Sequence, residues 1–305
     1  MKMLQYLLWT NCNNSCKFCI RGDKLDAYTN TRDMLVSVEK AKTSILNQDW
    51  SKYSGGVSVI GGELFFIEDK TLQIALKELF IIICDKVLSV RDSVHLVLIS
   101  NLLYDISFLR EVLDIFKERN LLSQVQLHVS FDTKYRFHSE AAKTLYYENL
   151  VKVRQIYPEL VITVQCILTQ YLIEAINNKE FSITEFEDRY NVKFALLIPL
   201  KSNLSIKLPD FLPKRRDFIN LLLKISVENP LTFRRFIDSA RYAFISKDFI
   251  DTQNDEELIP SNSALLYPSV LKCGHCDIYQ CYADSDKCML CDMEALCQRG
   301  GTKFE

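Results

Sequence analysis

Cys12, Cys16 and Cys19 stand three and then two residues apart, directly after the apolar run from Leu4 to Trp9. Three thiols crowded into eight residues do not build a disulfide ladder, but they suit a metal centre held by a tight loop. A cubane iron-sulfur cluster bound by three cysteines keeps one iron without a protein ligand, and a small molecule can coordinate and react there. The other chemistry open to the triplet is a zinc knuckle that borrows a distant fourth ligand. A second group, Cys273, Cys276, Cys281, Cys288, Cys291 and Cys297, contains two C-x2-C pairs that by spacing alone describe a zinc ribbon. Between the two groups lies Gly61-Gly62-Glu63. Two glycines let backbone approach a ligand closely, and an acceptor-only carboxylate suits an ammonium group; a turn with a solvated Glu is the other reading of this tripeptide.

The elements that must position these residues follow from apolar periodicity. Strands are expected over 4–10, 56–60, 94–99, 125–130, 160–168 and 194–198. Helical spacing falls between them, over about 31–48, 69–87, 106–119 and 140–156, and from Tyr171 to Asn177 or Phe186. Such alternation implies an α/β fold of right-handed parallel units whose polar strand ends gather on one rim. Cys12, Glu63, Asn101, Asp132 and Thr169 all sit at or just past those ends. Beyond Pro199 a polar, proline-punctuated stretch leads to two further helices, Lys214 to Val227 and Leu231 to Phe244, and to an acidic loop. The cysteine-rich tail is too small to bury a core, so a metal is expected to stabilise it.

Composition bounds the function classes. The chain has 305 residues, 48% apolar and 25% charged, with only 8 Gly and 7 Pro, so no long low-complexity tract is expected. A net charge of -2 argues against a strongly nucleic-acid-binding surface. Lys214-Arg215-Arg216 reads as a solvated helix end. Eleven cysteines in two clusters, with only Cys84 and Cys166 between, do not form a secreted disulfide framework. The N-terminal apolar run is too short for a signal peptide and the block Leu79 to Cys84 too short to span a bilayer. A soluble, cytoplasmic protein in a reducing compartment, without a membrane partner, is the expectation.

C-x3-C-x2-C after a first strand, an aromatic before the third cysteine, and Gly-Gly-Glu after a second strand together resemble the radical S-adenosylmethionine (SAM) superfamily. The resemblance covers roughly residues 4 to 200. It implies a partial (β/α)6 barrel of parallel strands over 1–200, a helical linker region over 201–260 and a small Cys-rich domain over 261–305. It also implies that Cys12, Cys16 and Cys19 hold a [4Fe-4S] cluster whose open iron is chelated by the amino and carboxylate groups of SAM. Phe18 would lie beside the adenine, and Gly61, Gly62 and Glu63 would bind the methionyl amino group. Asn101, Ser130 and Asp132 are candidates for the ribose and carboxylate contacts. For each of these three, a strand-end residue that caps the next helix is the alternative.

The tail resembles the SPASM or shorter twitch extension of that superfamily, which holds auxiliary [4Fe-4S] clusters. It departs from the pattern where Gly301 stands in place of a cysteine. At least one auxiliary cluster is expected, using Cys288, Cys291, Cys297 and one of Cys273, Cys276 or Cys281; His275 and Asp277 are further candidates if a second forms. Cys166 faces either the barrel interior or the core, Cys84 the core, and His128 and His138 flank the end of the fourth strand. The expected activity is reductive cleavage of SAM to a 5'-deoxyadenosyl radical that abstracts hydrogen from a peptide or protein, served by an electron donor such as a flavodoxin or ferredoxin. Radical chemistry on a small metabolite is the alternative, and a non-catalytic zinc-binding interaction module a third reading.

Overall fold

Every predicted strand forms. The computed structural model describes residues 4–16, 19, 30–50, 57–90, 95–197, 213–240 and 280–282. Strands β1 (Leu4–Leu7), β2 (Val57–Ile60), β3 (Leu96–Ser100), β4 (Val125–Phe131), β5 (Val161–Ile167) and β6 (Lys193–Leu197) alternate with helices α1 (Thr31–Asn47), α2 (Lys70–Val90), α3 (Ser107–Glu118), α4 (Glu140–Ile156), α5 (Gln170–Asn177) and α6 (Ile183–Tyr190). The six strands pair parallel, each with its sequence neighbour. With one strand order running straight through, right-handed crossovers put the helices on one face of the sheet.

Helix starts follow local side-chain chemistry. Asn30, Ser139, Thr169 and Ser182 cap α1, α4, α5 and α6, each accepting a backbone N–H of the first turn. The helical stretch that begins at Tyr171 does not run on to Phe186. It breaks after Asn177, passes through the left-handed Lys179 (φ 63°) and restarts at the Ser182 cap.

The two faces of the sheet differ. On the helix side, the register aligns Val129 with Val164 and Phe194, and Phe131 with Cys166 and Leu196, all buried. Cys166 therefore belongs to the core row, pointing away from the row that holds Ser130 and Gln165. Phe131 is the hub of the aromatic packing, with ring centroids of Phe186, Phe181, Tyr146, Phe137 and Phe194 at 5.1, 5.5, 5.7, 5.9 and 6.1 Å. On the opposite face, Gln126, His128 and Ser130 are only half-buried.

Two more helices, α7 (Arg215–Glu228) and α8 (Pro230–Ala240), follow. They join the same core through Phe218, Leu221, Ile225 and Phe236, and Arg235 on α8 donates to Phe194 O at 3.0 Å and pairs with Glu187. In the cysteine-rich tail, Gln280–Tyr282 form β7, which pairs antiparallel with β1 and sets Cys281 opposite Gln5. The sheet thus has the order β6-β5-β4-β3-β2-β1-β7. Sequence periodicity did not reveal a strand this short. Phe18 and the other five tail cysteines, with His275 and Asp277, lie outside the described residues.

Phe131→Ala removes the hub ring and is expected to cost about 3–5 kcal/mol, read as a lower urea midpoint at unchanged slope. A loss below about 1 kcal/mol would show that the core does not depend on this ring.

Candidate functional site

The site is built where the first three strands end. Hydrogen bonding between β1 and β2 does not stop at the strand boundary: Leu8 N donates to Ile60 O, Gly62 N to Trp9 O and Glu63 N to Asn11 O, at 2.8–2.9 Å. The thiol loop and the Gly-Gly-Glu turn are therefore one continuous backbone structure. Gly62 is required by that closeness. A Cβ there would lie 2.0 Å from Asn11 O and 2.3 Å from Thr10 O, both fixed backbone. A Cβ at Gly61 would meet the flexible Leu64 side chain at 2.7 Å and the Trp9 indole at 3.2 Å. The glycine pair thus serves the approach of the neighbouring loop as well as any approach of a ligand.

Glu63 is buried, at 2% exposure. Its carboxylate accepts from Asn101 N at 2.6 Å, Phe65 N at 3.3 Å and Ser100 Oγ at 3.4 Å. All three donors are neutral, and among the described residues no cation pairs with it. Loss of hydration outweighs these hydrogen bonds and pushes the Glu63 pKa up from 4.5 to about 7. Tyr104, whose hydroxyl lies 2.6 Å from Ser100 Oγ, is also raised, by burial and by the adjacent carboxylate.

Asn101 ties β3 to the thiol loop. Its Nδ2 donates to Asn13 Oδ1 at 2.8 Å and lies 3.6 Å from Cys12 Sγ, while Asn13 Nδ2 reaches Leu103 O at 2.7 Å. The next residue, Leu102, has φ 54°, a conformation uncommon for a bulky side chain. It is held there by Asn149, buried on α4, which donates to Leu102 O at 3.0 Å and Tyr104 O at 2.8 Å. Backbone strain of this kind is sustained only where surroundings over-determine it.

The turn after β4 braces the same loop from the other side. Asn14 Nδ2 lies 3.3 Å from both Cys16 Sγ and Arg136 O, and Asn14 Oδ1 is 2.6 Å from His138 Nε2. Both oxygens of Asp132 are used within the chain: one accepts the N–H groups of Lys134, Tyr135 and Arg136, the other the Tyr171 hydroxyl. Thr169 is buried and caps α5. Ser130 lies on the half-buried face, and its hydroxyl makes no hydrogen bond among the described residues. On the same face Gln165 Nε2 donates to His128 Nδ1 at 2.9 Å, leaving Nε2–H to face Gln126 Oε1 at 3.4 Å. Burial lowers the His128 pKa to about 4, so its ring is neutral.

Desolvation pushes the Cys12 thiol up to about 11, opposed by the Asn14 backbone N–H and reinforced by Glu63; Cys16 is raised by burial against the lowering field of Arg136. Without a metal these thiols stay protonated near neutral pH, so metal uptake must release protons. No group of three or more His, Cys, Asp or Glu converges as a single-ion site among the described residues. Cys12, Cys16 and Cys19 share one loop, and Cys12 lies close enough to the buried Glu63 carboxylate to feel its charge. Asn13, Asn14, Tyr104, Arg136 and Asn149 were missed by sequence reasoning. Two asparagines between the cysteines are the only local signal, and their partners lie far along the chain. Neither a protein-family model nor a curated protein matches the chain. No described helix is long and apolar enough to cross a membrane.

Gly62→Ala should cost about 1–3 kcal/mol and exceed the effect of Gly61→Ala, measured by thermal unfolding; equal effects would contradict the close approach to Asn11. A pH effect follows from Glu63 in the metal-free protein. Between pH 4.5 and about 7 the unfolded chain gives up the Glu63 proton first, so the folded state binds more protons and stability falls as pH rises. The difference in stability between wild type and Glu63→Gln should therefore shift by up to about 3 kcal/mol across that window in favour of the variant. A pH-independent difference would show that Glu63 is not buried in its charged form.

Proposed function

We propose that this protein is a radical SAM enzyme that abstracts hydrogen from a peptide or protein substrate. The observation that carries the reading is the buried carboxylate of Glu63, surrounded by neutral donors and fixed by backbone hydrogen bonds to the loop of Cys12, Cys16 and Cys19. A carboxylate kept from water and given no cation is a site for a ligand's ammonium group. Three thiolates beside it would leave one iron of a cubane open for the same ligand.

Cys12, Cys16 and Cys19 would hold the [4Fe-4S] cluster, which with SAM supplies reductive carbon-sulfur cleavage to a 5'-deoxyadenosyl radical. Glu63 would hold the amino group of the methionyl portion, and Asn101 holds Glu63 and the thiol loop in one register. Phe18 is assigned to the adenine on the resemblance alone. Ser130 is the ribose candidate with a free hydroxyl, whereas Asp132 acts through the turn it caps. The sequential parallel sheet fits a partial barrel, and its polar row, Gln126, His128, Ser130 and Gln165, would face the substrate. A neutral His128, its ring nitrogens held by Gln165 and Gln126, adds no charge there. The cysteine-rich tail, by its resemblance to SPASM and twitch extensions, would hold at least one auxiliary cluster and favours a peptide over a small metabolite. An external flavodoxin or ferredoxin would supply electrons.

Anaerobically reconstituted protein should be brown, contain iron in excess of zinc and form 5'-deoxyadenosine from SAM only with a reductant. Cys12→Ala, Cys16→Ala and Cys19→Ala should each abolish this. Glu63→Gln should weaken SAM binding at least about tenfold, the loss of one charge-assisted contact. Zinc without iron, and no 5'-deoxyadenosine, would replace this reading with the zinc-binding module.

A further inference from the structure

On the helix side of the sheet, away from the thiol loop, a cavity of about 500 Å³ opens between α4 and α5. Its volume lies within the range of small-molecule sites, about 300–1,000 Å³. Phe131, Phe137, Tyr147 and Phe181 make an aromatic floor, with Phe131 and Phe181 stacked at 5.5 Å. The rim carries both signs of charge on opposite sides. Lys134 and Lys143 come from the β4–α4 side, Glu174 and Glu180 from the α5 side. The single ion pair of Lys143 is an exposed 3.9 Å contact with Glu140 of its own helix, worth little. Glu180 has no ionic partner among the described residues.

An apolar aromatic floor selects a ring. A rim with cations on one side and anions on the other disfavours a ligand of net charge and suits one with both charges on adjacent atoms. We propose that this cavity binds a free aromatic amino acid, with its ring on the floor, its carboxylate toward Lys134 and Lys143 and its ammonium toward Glu174 and Glu180. The site is separate from the proposed SAM site, because Phe131 and Ser130 point to opposite faces of β4. It nevertheless shares a wall with the turn that braces the thiol loop: Tyr171 lines the cavity and donates to Asp132, which holds the 134–136 amides.

The test is equilibrium binding of L-tyrosine, L-phenylalanine and L-tryptophan to the full-length chain, by calorimetry or saturation-transfer NMR, against L-alanine and N-acetyl-L-tyrosinamide. Saturable binding of an aromatic amino acid is expected, with the blocked amide at least about tenfold weaker because both charges are gone. Lys143→Glu should weaken binding, and Ala175→Trp, which fills the cavity, should abolish it while the far-UV circular dichroism stays unchanged. No saturation by about 10 mM on folded protein, equal binding of the blocked amide, or binding that survives Ala175→Trp would overturn the proposal. Neither SAM nor reductant is present, so a negative result here leaves the radical reading untouched, and the reverse holds.

Discussion

The backbone ladder from Leu8–Ile60 through Gly62–Trp9 to Glu63–Asn11 is the constraint on which the site depends. A parallel strand pair normally ends where its crossovers diverge. Here pairing continues past both strand ends, so a loop of thiols and a loop carrying a carboxylate leave the sheet at a fixed separation. The ladder closes only because Gly62 has no side chain. Trp9 strengthens the seam with an indole N–H to Glu63 O at 3.3 Å, and Ser37 on α1 caps Leu8 O at 2.5 Å. Helix α1 is thereby tied to the loop that precedes it in the chain.

Around this ladder the fold concentrates groups that are costly when left alone. Glu63 is stripped of water, Cys12 and Cys16 are held as thiols, and Leu102 is kept in a left-handed conformation by Asn149. The buried carboxylate and the left-handed leucine are unfavourable in the ligand-free chain, and the large apolar core of the β4–β6 half offsets them. In the proposed reading, an ammonium group of the ligand would pair with the Glu63 carboxylate and relieve its desolvation cost. Binding and stability would then be linked in one region, as mass action requires for any ligand that prefers the folded state.

Much of this was legible in sequence because it is local. The six strands follow apolar runs, the start of α1 follows the cap at Asn30, and the rim follows from strand polarity. What was not legible is pairwise and distant. Asn13 finds Leu103, Asn14 finds Arg136 and His138, and Asn149 finds Leu102 only once the strands are in register. No periodicity encodes such contacts. Gly62 shows a subtler limit: its type was noticed, but the sequence does not say whether a glycine admits a ligand or a neighbouring backbone. Strand β7 escaped for lack of length, since three residues carry no alternation to detect.

The division of the sheet into two unlike faces was also written in β4, and it constrains where chemistry can occur. Val125-Gln126-Leu127-His128-Val129-Ser130-Phe131 alternates strictly, whereas a parallel strand covered on both faces reads as a continuous apolar run. β2, which is buried throughout, comes closer to such a run. The polar row of β4, continued by Gln165, is therefore a departure that a second apolar layer would not tolerate. His128 remains neutral there because burial disfavours its charged form, while Gln165 and Gln126 satisfy both ring nitrogens without supplying charge. Gln126, His128, Ser130 and Gln165 thus form an uncharged polar wall on that face. The aromatic cluster around Phe131 packs on the other side of the sheet.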